Sequence, residues 1–383
     1  MGDPISENQH VIQQQSCFLS DDLLIEEVLT RLPIKSILRF KAVSKQWYST
    51  LSSSDFATLY LMKSSFAYPS APVNTLFINS VKNYYLFFYD DDQICGNFED
   101  NLVKIDVDFG IENNDYFQVS GSCNGLICLT PDSHKYFILW NPSTRKMHKY
   151  ETDVYIKRID DETEADPLIC GFWHASSVDD YKFVRVLKPS FETYDTNGIV
   201  HILSLRENKW TTFHWDFGVQ ILAAGHPMLT NERLYWPAFC LPDDRVIISF
   251  DLVVERFEVI KLEDTDCLGV MGGYLSKCDS DIRKTIHIFE SPGVILKSIG
   301  FPKCLRLGMT SQMVGFTKTG RFFVTGAFNG EMISIDTRML GVVDTGTEPM
   351  QYTTLLSFDK LIDITRYVPS LVSPFPLEKL SRA

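Results

Sequence analysis

After Met62 the chain repeats one plan of turn, strand, loop, strand, turn and strand. Four stretches follow it: "NGLICLTPDSHKYFILWNPSTRKMHKY" from Asn124, "NERLYWPAFCLPDDRVIISFDLVVERFEVIKL" from Asn231, "GGYLSKCDSDIRKTIHIFESPGVILKSI" from Gly272 and "TGRFFVTGAFNGEMISIDTRMLGVVD" from Thr319. A fifth, from Asp179 through Phe213, fits with a longer middle loop. In each, short alternating or continuous apolar runs are bounded by Gly, Asn, Asp and Pro, the pattern of strands and not of helices. Their middle strands are expected to end near Asn141, Leu205, Asp251, Glu290 and Asp336.

Those ends are spaced about 40 to 65 residues apart, the range of propeller blades of the kelch or WD type. A strand unit of this size cannot bury both faces alone, so stacking several around an axis is an economical solution. A β-sandwich is the competing architecture, because the spacing is irregular. A weaker first unit is expected around Tyr84 to Phe98.

Ahead of the repeats lies a segment of different texture, "LSDDLLIEEVLTRLPIKSILRFKAVSKQWYSTL", Leu19 to Leu51. Ile25, Val28, Leu29 and Leu32 recur at helical spacing, and Leu23 and Leu24 widen the apolar surface. Ser20 can cap this helix, Asp21 and Asp22 complement its first turn, and Pro33 stops it. A second helix is expected over Ile34 to Phe40 and a third after a Ser44 cap, carrying Trp47, Tyr48 and Leu51. Three helices in about 40 residues have little interior of their own. Such an apolar surplus is covered either by the β region or by another chain.

The whole chain of 383 residues, 45% hydrophobic and 22% charged, has the composition of a folded globular protein. A net charge of −13 argues against general attraction to nucleic acid or anionic membrane. No stretch reaches the length of a membrane-spanning helix, and Met1 to Cys17 lacks the apolar core of a signal peptide. Nine scattered cysteines, none in a CxxC pair, read as reduced thiols of a cytoplasmic or nuclear protein.

The run from Leu19 to Phe56 closely resembles the F-box, especially its plant form: it joins Leu-Pro, Lys-Ser, Arg-Phe-Lys and Ser-Lys-x-Trp at that family's spacing. It departs in having Leu19-Ser20 where the family has Leu-Pro, and Ser54-Asp55-Phe56 where it has Asp-Pro before the late Phe. The resemblance implies a Skp-type adaptor as partner and, through it, a cullin–RING ubiquitin ligase. On that reading Leu24, Ile25, Val28, Leu32, Pro33, Leu38 and Val43 are the expected adaptor contacts. Trp47 is either an interface anchor or an internal pin holding the third helix against the first.

The β region in turn resembles the F-box-associated domain, through "GSCNGLICL", "LWNPSTRK", "DDYKFVRV", "ILSLRENKW", "RLYW", "SFDLVVERFEVIKL" and "LGVMGGYL". The match fades beyond Leu275 and returns in "VPSLVSP", Val368 to Pro374. It implies a platform that recognises a target protein. The expected fold class is therefore α+β multidomain: a three-helix F-box followed by a large all-β domain, a kelch-like β-propeller. The expected division is a disordered tail over 1–17, the F-box over 18–61, a connecting segment with first strands over 62–115, the β domain over 116–375 and a tail over 376–383.

Catalytic constellations are not evident. "GSCNG" sets Cys123 between glycines, but Asn124-Gly125 reads as a tight hairpin turn and Cys123 as strand filler. The eight histidines are dispersed, without HExxH, and there is no GxSxG or phosphate-binding loop. The acidic runs Asp90–Asp92 and Asp160–Asp166 read as solvated loop tips. The expectation is a non-catalytic ligase subunit without cofactor or metal. A kelch-like enzyme or lectin, or an F-box interaction protein acting outside a ligase, are the alternatives.

Overall fold

The computed structural model describes residues 23–63, 75–80, 83–89, 98–109, 116–131, 133–152, 167–187, 196–224, 227–230, 232–241, 244–261, 267–271, 274–279, 285–291, 294–300, 305–306, 313–316, 321–328, 337–344, 351–359 and 361–375. The expected Ser20 cap with Asp21 and Asp22, both tails and both acidic runs lie outside the described residues.

Chain entry is helical. Leu24–Val28 winds as a π-helix and Leu29–Arg31 as a 3-10 turn. They are followed by α1 (Ile34–Phe40), α2 (Lys45–Ser52) and α3 (Ser54–Lys63). The regular first helix expected from the apolar spacing is therefore corrected to two tighter and wider windings. Their hydrogen bonds supply a reason: the Thr30 hydroxyl donates back to the Glu26 carbonyl at 2.5 Å, and Lys63 Nζ donates to the same oxygen at 2.6 Å. A carbonyl engaged twice by side chains is drawn out of regular winding. α2 starts as expected, with Ser44 Oγ accepting from the Trp47 N–H at 3.1 Å. α3 is a further helix beyond the three expected. Ser53 Oγ caps it by accepting from the Phe56 N–H at 3.2 Å, and it buries Phe56, Ala57 and Tyr60.

The remainder is antiparallel sheet among the described residues, in six successive meanders built on four strands, the fourth with an extra short strand. The first holds Thr75–Ser80, Asn83–Phe88 and Leu102–Ile105. The second holds Phe117–Cys123, Leu126–Pro131, Tyr136–Asn141 and Lys146–Glu151. The third runs Pro167–Ala175, Asp180–Leu187, Asn197–Ser204 and Lys209–Asp216. In the fourth, Ile221–Ala224 and Met228–Thr230 share the inner position before Arg233–Cys240, Asp244–Asp251 and Arg256–Lys261. The fifth is Cys267–Met271, Tyr274–Asp279, Thr285–Ser291 and Val294–Gly300. The sixth is Met313–Phe316, Phe322–Phe328, Thr337–Asp344 and Gln351–Asp359. A single parallel pair, Gly269 with Met313, joins the last two meanders into one sheet, so the hydrogen-bonded sheets number five among the described residues.

The inner strands close a ring. Leu361–Arg366 contacts Phe117–Cys123, which contacts Pro167–Ala175, which contacts Ile221–Ala224. Met228–Thr230 then contacts Cys267–Met271, which meets Met313–Phe316, which returns to Leu361–Arg366. Closure itself is a long-range event: Leu361–Arg366, from the end of the chain, pairs with Thr75–Ser80 as the fourth strand of the first meander. The propeller reading holds, and the sandwich alternative falls to this circular order.

The stretch expected to carry the strand ending near Asp336 lies outside the described residues. The strand that pairs with Phe322–Phe328 is Thr337–Asp344, from Phe322↔Val343 to Gly326↔Met339. The closing strand Leu361–Arg366 is a difference from the sequence expectation.

Packing between meanders is aromatic. Trp140, fully buried, meets Phe77, Tyr84 and Phe109 edge-on at 5.5 to 5.7 Å. Trp236 donates from Nε1 to the Cys170 carbonyl at 3.0 Å and lies against Gly171, where a Cβ would come within 2.8 Å of its ring. Polar bonds follow the same seams: Asn79 Nδ2 donates to the Phe117 carbonyl at 2.6 Å, and the Val119 N–H to Asp363 at 2.7 Å. Buried donors and acceptors are thereby satisfied where blades meet.

Candidate functional site

The expected adaptor contacts divide into three groups. Leu24, Ile25 and Trp47 line one small groove, completed by Leu29, Gln46, Thr50 and Leu51. Val28, Pro33 and Val43 face water, Val28 at 39% and Val43 at 61% exposure. Leu32 and Leu38 are half-buried and pack on the helical unit's own core of Leu29, Ile37, Leu51, Phe56, Ala57 and Tyr60. The apolar stripe inferred from spacing is therefore split. Leu29 points inward, Ile25 and Leu32 sit at the margin, and Val28 turns out. The change of winding across Leu24–Arg31 rotates successive side chains off a single line.

Trp47 meets Phe40 edge-on at 5.7 Å, which pins α2 to α1, the second expected helix and not the first, and it stays half-exposed at the groove. Tyr48, at 61% exposure, and Met62, at 67%, add apolar surface that the spacing argument did not single out. Tyr48 sits beside Trp47 in the sequence, and that adjacency is the signal available for it; Met62 lies on the unforeseen α3.

Charged pairs lie on the same helical unit. Glu27 accepts from Lys63 at 3.1 Å and pairs with Arg31 at 2.5 Å, and Lys63 first, then Arg31, hold its carboxyl below the ordinary range. These pairs stand in water and contribute little to stability.

The opposite terminus reaches this unit. Leu371, 8% exposed, belongs to the helical core. The chain arrives there over the second meander, where Asn141 Nδ2 donates to the carbonyls of Ser370 at 3.0 Å and Val372 at 2.8 Å. The Tyr367 hydroxyl donates to Asn141 Oδ1 at 3.2 Å, and the Tyr150 hydroxyl to the Pro374 carbonyl at 2.9 Å.

In the β region the hairpin reading of "GSCNG" holds: Asn124 and Gly125 both take positive φ, 52° and 77°, as a two-residue hairpin turn needs. Burial pushes the Cys123 thiol up to about 12, so it stays protonated at neutral pH and lacks the thiolate a nucleophile requires.

Comparison with known proteins agrees with this architecture. Residues 19–59 match the F-box domain and residues 51–267 the F-box associated beta propeller domain. An F-box/kelch-repeat protein of Arabidopsis thaliana is 28% identical over 246 residues, 61% of this chain and 63% of that one. The F-box protein CPR1 of the same plant is 24% identical over 259 residues, 63% of this chain and 59% of that one. The chain thus spans about three-fifths of the length of these relatives. A chain of a nidogen–laminin complex superposes with a TM-score of 0.48 at 9% identity, covering 77% of this chain and 98% of that one, a likeness that carries no argument. The helical unit and the ring behind it are the two halves of one known plan, and the chain belongs to the plant F-box proteins that carry an F-box associated beta propeller domain.

Proposed function

We propose that this protein is the substrate-recognition subunit of a Skp–cullin–F-box ubiquitin ligase. The helical unit docks a Skp-type adaptor, and the propeller, of kelch-like type, presents a target protein. The observation that carries this reading is the apolar surface the small helical unit leaves in water. Val28, Pro33, Val43 and Tyr48 are exposed, and Leu24, Ile25 and Trp47 line an adjoining groove. A unit this small is marginal in stability, and large side chains kept out of its core are costly unless a partner covers them. Leu32 and Leu38 act indirectly, by holding that surface in shape.

The mechanism is proximity. Holding a target beside a charged conjugating enzyme raises the effective concentration of its lysines, and the chemistry belongs to the other subunits. No cofactor or metal enters, and the complex works in cytoplasm, nucleus or both. The sequence departure at Ser20 bears on affinity for the adaptor and not on the mode of docking.

The test is co-purification with a recombinant plant Skp-type adaptor, comparing the native chain with Val28→Glu plus Val43→Asp. Both positions are exposed, so the double variant retains its helical circular dichroism. Capture by the native chain and its loss in the folded variant supports the reading. Equal capture by both, or none by the native chain, contradicts it.

A further inference from the structure

Two parts of a chain joined by one linker move against each other unless an apolar interface holds them. Here α3 ends at Lys63 and the first described strand begins at Thr75. Interactions across the boundary include Lys35 Nζ, 5.6 Å from the centre of the Phe88 ring, and the mutual repulsion of the like charges on Lys41 and Lys146. Neither supplies much cohesion. One residue of the β region enters the buried core of the helical unit among the described residues, and it is Leu371.

The segment carrying Leu371 is fastened with unusual completeness. Asn141, fully buried, spends both ends of its amide on it: Nδ2 on the Ser370 and Val372 carbonyls and the Ser370 hydroxyl, Oδ1 on the Tyr367 hydroxyl. Tyr367 also joins the Ser143 hydroxyl at 2.6 Å. Gly125 completes the seat from the other side. A Cβ there would strike the Ser370 hydroxyl and stand 2.5 Å from the Val368 carbonyl oxygen.

We infer that Tyr367–Phe375 is a positioning tie: anchored on the second meander and plugged into the helical core by Leu371, it makes the F-box and the propeller turn as one body. The inference concerns the chain's own geometry and stands apart from the identity of any partner. Its consequence for a receptor is that the docking face and the target-presenting ring keep a fixed separation. Asn141, Gly125 and Leu371 are then positioning residues.

The experiment is double electron–electron resonance on the full chain, with genetically encoded spin labels at the exposed positions Ser52 and Lys209. The native chain gives one narrow distance distribution. In Leu371→Asp the distribution roughly doubles in width or more, as for two domains free to move, while the propeller's melting transition stays in place. Leu371→Ala, the milder change, widens it less and keeps the helical circular dichroism; it decides the matter should Leu371→Asp lose its helices. A native distribution that is already broad, or a folded Leu371→Ala as narrow as native, overturns the tie.

Discussion

The helical unit and the propeller differ in how they complete their cores. The ring encloses its largest side chains completely: Trp140, Trp173 and Trp236 are all at 0% exposure, and each packs at a seam between neighbouring strands of the ring. The helical unit, a fraction of the size, borrows Leu371 from the far end of the chain to finish its core and still leaves Val28, Val43, Tyr48 and Met62 in water. The ring too leaves apolar side chains in water, among them Val253, Val254 and Val294, but its core clusters are filled by its own strands and loops. On the proposed reading, the surplus of the helical unit is kept for association, and that reading can be attacked directly.

Trp140→Ala should have the largest effect, because it empties a site that Phe77, Tyr84 and Phe109 all face. Loss of a buried Trp costs about 3–5 kcal/mol, read as a lowered midpoint of the propeller's denaturant transition. A change below about 1 kcal/mol would mean that the ring is not packed through this seam.

Acid should weaken the ring next. His201 is fully buried on Asn197–Ser204, with Nδ1 2.8 Å from Thr212 Oγ1. Burial first, then the positive charges of Arg185 and His214, push it down from 6.5 to about 4. As pH falls from about 6.5 to about 4, the unfolded chain takes up a proton that the folded chain refuses, so stability drops across that window. Below it, both states are protonated and this contribution to the slope ends. A urea titration at several pH values should show the slope, and His201→Gln should flatten it.

Ser44→Ala removes the α2 cap and should cost about 1 kcal/mol, confined to the helical unit and visible as faster amide exchange at Trp47. The smallest effect on stability is expected for Val43→Asp, within about 0.5 kcal/mol, since Val43 is 61% exposed. The same change should sharply weaken adaptor capture. Were it to destabilise the fold instead, the division between the two regions would be wrong.

Much of this was legible because it was local. Pro33, Ile34–Phe40 and the Ser44 cap depend on neighbours a few residues away, and the structure has them as the spacing implies. So do the Asn124-Gly125 turn and the repeated strand plan. What escaped the sequence depends on distant partners. Leu361–Arg366 reads as an ordinary apolar run until Thr75–Ser80 is placed beside it, and nothing near Leu371 signals that its side chain ends in a helical core. The expected sites were half-legible for a related reason. Apolar spacing identifies which residues avoid water, but not whether their cover is the same chain or another. Of the expected contacts, Leu32 and Leu38 are half-buried against their own core, as are Ile25 and Trp47, while Val28 and Val43 stand exposed.

On the proposed reading, the apolar surface of the helical unit is covered by another protein. Hydrogen–deuterium exchange of the full chain, with and without a saturating recombinant plant Skp-type adaptor, measures that cover directly. Added protection is expected across Leu24–Ser52, strongest around the groove of Leu24, Ile25 and Trp47, with the six meanders unchanged. Exchange that the adaptor leaves unaltered, or protection confined to the propeller, would mean that the adaptor does not sit on this surface.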